Sequence, residues 1–243
     1  ALAAAERPEP GDWLYFVTVD MEGTTLFTKD YQQHLKTALS GRWMHALPAP
    51  GKSGGAYQDG VWGVPPYVFL NHQDEFESVS TFAHEWGHGM HTALANEAQP
   101  YETANYALFV AEIASTANEV LLSEHMLKQA KSKEETLFQL GFALERLRGT
   151  FFRQAMFGEF ELKTHDAAKK GEALSGVRFT KIYCDLLKED HGEAQGVMKI
   201  DPVVCSEWAY IPHFYRPFYV YQYATSITAA QALMEPIVAG QSG

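Results

Sequence analysis

The string His-Glu-Trp-Gly-His at residues 84–88 constrains this chain more than any other feature. It lies within residues 75–97, where apolar residues recur at steps of three and four and predict a long helix. Residues four apart on a helix share a face and lie about 5–6 Å apart. At this separation His84 and His88 can bind one tetrahedral zinc ion. Glu85, beside them, is then predicted as a general base that takes a proton from a metal-activated water.

The alternative for this string is an exposed amphipathic helix that carries two unrelated histidines. The distribution of apolar residues argues against it, because Phe82, Trp86 and Met90 fall roughly opposite the histidines. Gly87 points the same way, since glycine within a helix costs about 1 kcal/mol relative to alanine. A helix tolerates this cost where another element comes close. The pattern therefore favours a helix packed on its apolar side, with the metal ligands on the other.

A third ligand is needed, because catalytic zinc sites usually have three protein ligands. The metzincin pattern is excluded, since it requires glycine and histidine where this chain has His91 and Leu94. Glu112 lies on a second predicted helix, over residues 105–130, among apolar neighbours. Its carboxylate would be costly to bury without a partner, so we predict Glu112 as the third ligand. Glu119, two turns further on, either orients a ligand histidine or is a solvated charge.

The rest of the pattern predicts a mainly α fold with a small β-sheet near the N-terminus. Strands are predicted over 13–19 and 67–70, the second at a sheet edge because two prolines precede it. Further helices are predicted over 25–40, 134–170, 177–190 and 217–239, with a loop over 48–63. No repeat or linker interrupts the pattern. We expect one catalytic domain over 1–243, with residues 1–11 as a linker or a cut end.

Composition excludes several classes of function. The net charge of −11 is opposite to that of a nucleic-acid-binding protein and disfavours anionic membranes. No apolar run reaches the roughly 18–20 residues that a membrane-spanning helix needs. Only two cysteines occur, Cys184 and Cys205, and they are too far apart for a CxxC pair. Two thiols in a chain of this size favour a reducing, cytoplasmic setting, although a disulfide is not excluded.

Residues 211–223, here called the aromatic segment, contain four tyrosines and one histidine. Phenol and imidazole groups are good donors to the oxyanion that forms when an amide is hydrolysed. Tyr219 and Tyr223 are four apart and share a helical face, and Tyr215 is expected with Tyr219 to contact substrate. The alternative is packing of aromatic side chains in a core. We expect one or two of the tyrosines to be functional and the others structural.

The loop at residues 50–57 is rich in glycine and includes Lys52. It lacks the GxxxxGK[ST] order, so a phosphate-binding loop is disfavoured. Together with the predicted edge strand it is expected to line a cleft in which an extended peptide adds as a strand. We expect Gly54 and Ala56 to contact such a peptide.

Four stretches together resemble the thimet oligopeptidase family of zinc metallopeptidases, and within it the oligoendopeptidase F branch. They are GKSGGAY at 51–57, PYVFLN at 66–71, TFAHEWGHGMH at 81–91 and FVAEIAST at 109–116. The aromatic segment fits the same branch. The resemblance is strong over 50–126 and 208–230 and weak before residue 45. These ordered motifs are far more specific than the HExxH string alone.

The resemblance implies a helical, zincin-like catalytic domain with one zinc ion per chain, which acts as an endopeptidase on short unstructured peptides. It implies that His84, His88 and Glu112 are the zinc ligands and Glu85 the base. His213 and Tyr223 match the residues that stabilise the transition state. Members of the family are usually much longer, with a helical N-terminal region that forms one wall of a channel. A partner or a missing N-terminal region is therefore expected to complete the channel.

Two other functions remain open. A carboxypeptidase or dipeptidase would need a cation that binds the terminal carboxylate of the substrate, and Arg216 and Lys52 are available for this role. A non-enzymatic binding domain is disfavoured by Glu85, since a structural zinc site has no use for that residue and usually closes its fourth position.

Overall fold

A two-stranded hairpin is the first element of the computed structural model, which describes residues 43–238 in full and the backbone alone of 15–18 and 25–28. Strand β1 (Tyr15–Thr18) pairs antiparallel with β2 (Thr25–Thr28). The first strand confirms the prediction over 13–19. The helix predicted from residue 25 is wrong over β2, whose Thr-Leu-Phe-Thr sequence suits a pleated strand. The rest of that predicted helix lies outside the described residues.

A three-stranded sheet follows, with the order β3-β5-β4. Its strands are β3 (Met44–His45), β4 (Tyr57–Asp59) and β5 (Tyr67–Phe69). The predicted strand at 67–70 is confirmed, but its predicted edge position is wrong, because β5 lies in the middle. The prolines precede the strand and leave its donors intact: Val68 N–H donates to Trp43 O at 2.7 Å. The two edge strands are β3 and β4, and β4 lies within the predicted loop 48–63.

Helices make up most of the described chain, which confirms the predicted mainly α class. They are α1 (Phe76–Ala98), α2 (Leu108–Gln129), α3 (Lys133–Leu147), α4 (Arg153–Lys169), α5 (Gly176–Asp190) and α6 (Tyr221–Val238). A π-helical turn, Arg148–Phe152, divides the predicted helix 134–170 into α3 and α4. Between α5 and α6 the chain forms short 3₁₀ turns, among them Pro202–Tyr210 and Pro212–Tyr215. Over residues 43–238, none of the helices combines the length and apolar character that a membrane crossing requires.

The chain divides into two compact units, one formed by residues up to 140 together with those from 229, the other by 141–228. The core of the first unit packs the sheet on the apolar side of α1, through Val68, Leu70, Phe82 and Trp86. The core of the second unit joins α4 and α5 to the 3₁₀ turns. Its buried members include Phe157, Phe160, Tyr183, Leu186, Ile200 and Val220. The single catalytic domain over 1–243 stays a prediction.

The two cysteines do not remain thiols in this structure. Cys184 on α5 and Cys205 in the following 3₁₀ turn form a disulfide, with Cα atoms 4.6 Å apart. The preference for two free thiols is therefore corrected. It failed because sequence spacing does not reveal that α5 packs on the turn 21 residues later. The argument for a reducing compartment loses this support.

Candidate metal centre

The close approach of α1 and α2 creates the site. A Cβ added at Gly87 would lie 2.6 Å from the carbonyl oxygen of Ala114 and 2.6 Å from Cα of Ser115. Any larger residue at position 87 would therefore push the two helices apart. This confirms that the glycine marks a close contact. It also explains how the histidine-bearing face of α1 reaches the Glu112-bearing face of α2.

The structure brings together the three residues that the sequence selected as metal ligands, His84, His88 and Glu112, here called the metal group. Nε2 of His84 and Nε2 of His88 each lie 3.2 Å from Oε2 of Glu112. One ligand atom from each residue lies within 4.8 Å of the other two. Donors about 2.0–2.1 Å from a tetrahedral zinc ion lie roughly 3.3–3.4 Å apart. The donor set of two imidazoles and one carboxylate, and its spacing, fit such an ion.

Electrostatics show how unusual the Glu112 carboxylate is. The side chain is buried, and Ser115 Oγ donates to its Oε2 at 3.0 Å. Burial alone would raise the pKa of Glu112, but hydrogen bonds from His84 and His88 outweigh it and hold this pKa well below its usual range. Burial would likewise lower the pKa of His84, yet its bonds to Glu112 and Glu119 raise that pKa well above the ordinary value. A metal would therefore have to displace a proton from the imidazole.

Glu119 lies behind His84 rather than in solvent. Its Oε2 is 3.2 Å from Nδ1 of His84, so that an N–H on that nitrogen donates to the carboxylate and leaves Nε2 for the metal group. Ser80 Oγ donates to the other oxygen of Glu119 at 3.1 Å. Of the two predictions for Glu119, the geometry favours the orienting role. Sequence analysis missed Ser80, although it lies one helical turn before His84 and thus on the same face.

Glu85 is buried on α1 and differs from Glu112 in having a free oxygen. Its Oε2 has no hydrogen-bond partner within the described part of the chain. Burial raises the pKa of Glu85, and the neighbouring His84 and His88 oppose this only in part. A buried carboxylate with an unused acceptor and a raised pKa is suited to receive a proton.

A cavity of about 440 Å³ in the first unit opens beside Glu85. Its lining includes Ala56 of the glycine-rich loop, Asn71 and His72 after β5, and Thr81 of α1. Asn71 fixes the loop, because its amide donates to the carbonyls of Ser53 and Gly55 at 2.8 and 3.0 Å. Of the two loop residues predicted to contact a peptide, Ala56 lines this cavity, whereas Gly54 is exposed outside its lining.

Lys52 is not available to bind a substrate carboxylate. Its ammonium donates to the carbonyls of Leu47 at 2.8 Å, His45 at 3.1 Å and Leu70, and lies 4.4 Å from the centre of the Phe69 ring. Three carbonyl acceptors use the three donors of an ammonium group. The structure thus assigns Lys52 to the loop, and Arg216 is left as the cation available to a carboxypeptidase.

A polar network behind the edge strand was not predicted. Thr92 on α1 is 3.1 Å from Oε1 of Gln58 in β4 and 2.9 Å from the hydroxyl of Tyr106. The ring of Tyr106 stacks on His91, with centroids 3.7 Å apart. His91 thus belongs to this network rather than to the metal group. No periodicity signals these contacts, because they join a strand, a helix and a loop.

The aromatic segment belongs to the second unit. His213 and Tyr223 line the same cavity there, of about 520 Å³. The rings of His213 and Tyr219 are parallel with centroids 6.0 Å apart, and the hydroxyls of Tyr219 and Tyr223 are 2.6 Å apart. Tyr215 is 88% exposed. The metal group belongs to the first unit. The cooperation of the aromatic residues with it stays a prediction.

Comparisons with known proteins agree on one family. The model of Peptidase family M3 matches residues 20–242. Oligopeptidase PepF of Bacillus subtilis (strain 168) is 41% identical over 218 residues, which cover 90% of this chain and 32% of that protein. The plasmid-encoded oligoendopeptidase F of Lactococcus lactis subsp. cremoris is 40% identical over 221 residues, with coverages of 91% and 36%. A solved structure of a protein from Chlamydophila abortus is 40% identical with a TM-score of 0.68, and the match covers 89% of this chain and 36% of that one.

These matches confirm the resemblance to the oligoendopeptidase F branch. They also show that the chain spans about a third of the length of the curated relatives that it matches.

Proposed function

The chain belongs to Peptidase family M3, and from this premise we propose that it is a zinc-dependent endopeptidase that hydrolyses peptide bonds in short unstructured oligopeptides. One observation carries the proposal: two imidazoles and a buried carboxylate meet beside a second buried carboxylate at a cavity. The names of the relatives add support, since they describe an oligopeptidase and an oligoendopeptidase.

In this proposal His84, His88 and Glu112 hold one zinc ion per chain. Such an ion acts as a Lewis acid and lowers the pKa of water towards about 7. Glu119 and Ser80 keep the His84 ring in the orientation that points Nε2 at the site. The hydrogen bond from Ser115 likewise holds the Glu112 carboxylate in its orientation. Pre-set ligands of this kind raise metal affinity, because little conformational freedom is lost on binding.

Glu85 is proposed as the general base. Its position next to a ligand histidine directs its carboxylate away from the metal group, and its free oxygen can accept a proton from the attacking water. The carboxyl group can then deliver that proton to the leaving amine. Burial favours both steps, because it raises the pKa of Glu85 towards the range in which the group can gain and lose a proton.

The edge strand β4 and the cavity beside Glu85 are proposed to bind the peptide. An extended peptide can pair through main-chain hydrogen bonds with the outer edge of β4, which none of the described strands covers, and pass Ala56 into the cavity. Gly54, in the same loop, is proposed to allow close approach of the peptide backbone. Recognition through the backbone explains why an extended peptide is favoured over a folded protein, whose strands are already paired.

The aromatic segment is proposed to stabilise the oxyanion. His213 and Tyr223 line one cavity and supply N–H and O–H donors, while Tyr219 shares a hydrogen bond with Tyr223. Tyr215 and Tyr219 are proposed to contact the substrate as well. In this proposal, replacing His213 by alanine lowers kcat far more than it changes the zinc content. An unchanged kcat would make His213 a structural residue.

A second candidate, a carboxypeptidase or dipeptidase, is favoured by one observation. Arg216 is exposed, and its guanidinium has no partner within residues 43–238, so it is free to bind a terminal carboxylate. Peptides with amidated and with free C-termini separate the two functions. An endopeptidase cleaves both at internal bonds, whereas a carboxypeptidase cleaves only the free form.

The test of the proposed function is product mapping on a short quenched peptide, together with metal analysis. We expect internal cleavage that a chelator abolishes and that one equivalent of zinc restores. Cleavage that survives complete removal of the metal would overturn the zinc mechanism. A zinc-loaded protein that cleaves no peptide would overturn the activity.

Two further proposals concern a partner and the compartment. We propose that additional chain, or a partner, completes a channel around the site. Adding that region as a separate chain tests this, because the range of peptide lengths that are cleaved should change. A cytoplasmic location stays a proposal, and the disulfide between Cys184 and Cys205 stands against it. Alkylation of thiols in intact cells before lysis tests it: two alkylated cysteines in the purified protein support the cytoplasm, and none contradicts it.

A further inference from the structure

Phe218 adopts a backbone conformation that large side chains rarely take. Its φ is 57°, and it is the one non-glycine residue with positive φ in the described part of the chain. For a bulky residue the left-handed region is strained, because Cβ approaches the neighbouring carbonyl oxygen. Such a conformation persists only where surrounding contacts enforce it, and it is often found at functional sites.

Glu161 on α4 supplies the enforcing contact. Its Oε1 accepts a hydrogen bond from the backbone N–H of Phe218 at 2.8 Å, although the two residues are 57 positions apart. Glu161 is only 3% exposed, and its Oε2 has no partner within the described residues. One turn later on α4, the His165 ring packs on the Phe218 ring with centroids 4.8 Å apart. Helix α4 thus contacts both the backbone and the ring of Phe218.

Phe218 directly precedes Tyr219, one of the aromatic residues that carry the proposed chemistry. The ring of Tyr219 is parallel to that of His213, and its hydroxyl lies 2.6 Å from that of Tyr223. Because φ of Phe218 sets the direction in which the chain enters Tyr219, a change in this angle would rotate Tyr219 away from both partners. Core packing alone does not explain why a glutamate is buried at position 161. An apolar residue would fill the same space without the free-energy cost of burying a carboxylate.

We propose that Glu161 is a positioning residue, which holds Phe218 in its left-handed conformation and thereby orders His213, Tyr219 and Tyr223 for catalysis. The inference rests on the proposed function, because it assigns the purpose of the constraint to the hydrolytic reaction. Glu161 itself does not touch the substrate in this account. Its effect is on the geometry of the donors, which matters most in the transition state.

Two substitutions of Glu161 in the full chain separate positioning from general stability. Glu161→Met keeps the volume but removes the acceptor, and we expect kcat to fall by about 10-fold to 100-fold with KM and zinc content within about twofold. Glu161→Gln keeps an oxygen that can accept from Phe218 and should retain kcat within about threefold. The exposed Glu159, two residues away on α4, provides the matched control Glu159→Gln, which should match the wild type.

Thermal unfolding of each variant shows whether a loss of kcat reflects loss of folding. If Glu161→Met unfolds, the double variant Glu161→Met/Phe218→Gly decides, because glycine adopts positive φ without help. Where Glu161→Met unfolds, a double variant that folds supports the proposal. Where Glu161→Met folds, a higher kcat in the double variant than in Glu161→Met supports it. Failure of the double variant to fold would show that Glu161 serves the core, and would overturn the proposal. So would wild-type kcat in a folded Glu161→Met.

The wild-type chain, assayed in parallel, separates this inference from the proposed function. If the wild type shows no chelator-sensitive cleavage, the proposed function fails and with it the basis of the inference. If the wild type cleaves the peptide and Glu161→Met cleaves it equally well, only the role of Glu161 is wrong.

Discussion

The metal group and the aromatic segment place their functional side chains in contrasting ways. His84, His88 and Glu112 lie on two long regular helices, and each is aimed by its position in the helical repeat. His213 and Tyr219 lie in 3₁₀ turns and a connection, where no repeat fixes direction. There the chain is held by individual contacts from distant residues.

The two regions obtain precise placement of their side chains from different sources. In the first unit a single glycine allows two helices to come close, and the geometry of the metal group follows from regular backbone. In the second unit a buried carboxylate, a disulfide and a hydrogen bond from Trp208 each tie the irregular chain to a helix. Substitutions of the metal ligands, or of the residues that orient them, should therefore change metal binding, whereas those that loosen the irregular chain of the second unit should change stability or turnover.

The largest expected effect is that of Glu85→Gln. Removal of the base should lower peptide hydrolysis by about 10²-fold to 10⁴-fold while zinc affinity stays within about twofold, because Glu85 is not a ligand. Hydrolysis rates and zinc titration on the same preparation measure both quantities. Glu97→Gln, an exposed change on the same helix, is the control. Normal turnover in Glu85→Gln would remove this residue from the mechanism.

Glu119→Ala tests whether the contact between Glu119 and His84 contributes to metal binding. Without its acceptor the His84 ring can rotate, and zinc affinity should fall by about 10-fold to 100-fold. Competition with a zinc-binding dye gives the affinity. Glu124→Ala on the same helix should leave it unchanged, so equal losses in both variants would point to helix α2 as a whole rather than to the bond with His84.

Gly87→Ala tests whether helix contact sets the ligand geometry. The added methyl meets backbone atoms of α2, which should destabilise the protein by about 1–3 kcal/mol and weaken zinc binding. Gly141→Ala is the matched control, because it lies in a helix with open space around it. That change should stabilise the protein by up to about 1 kcal/mol. Denaturant unfolding distinguishes the two, and a stabilised Gly87→Ala would contradict the close contact.

The smallest effect is expected for Thr180→Val in the second unit. The change removes the acceptor of the Trp208 indole N–H, 3.0 Å away, and should cost about 1 kcal/mol of stability. Zinc affinity should not change. Thr225→Val, at an exposed position of α6, should cost less than about 0.5 kcal/mol. A loss of zinc affinity in Thr180→Val would contradict the expectation that zinc binding does not depend on this hydrogen bond of the second unit.

The sequence predicted the regular region well for a physical reason. Helix α1 was predicted over 75–97 and spans Phe76–Ala98, because the apolar residues and the two ligand histidines follow the same helical period. Glu112 could be selected since an isolated carboxylate among apolar neighbours needs a partner. The same repeat placed Glu119 on the face of Glu112 but left open whether it orients His84 or is a solvated charge, and the structure favours orientation.

The irregular parts escaped prediction because their causes are distant in sequence. Nothing near Phe218 signals positive φ, which depends on Glu161 in another helix. The edge position of β4 depends on β5 pairing with both neighbours, and proline ahead of β5 suggested the opposite. The disulfide likewise depends on packing of α5 on a later turn. Long-range contacts of this kind leave no local pattern.

The proposed activity depends on the binding of one zinc ion by His84, His88 and Glu112. X-ray absorption at the zinc edge of the zinc-loaded protein tests it most directly, alongside metal stoichiometry. We expect one zinc per chain, with two imidazole nitrogens and oxygen ligands at about 2.0–2.1 Å, and weaker zinc retention in Glu112→Ala. A spectrum with sulfur ligands, or a full equivalent of zinc bound with unchanged affinity by Glu112→Ala, would contradict this binding site.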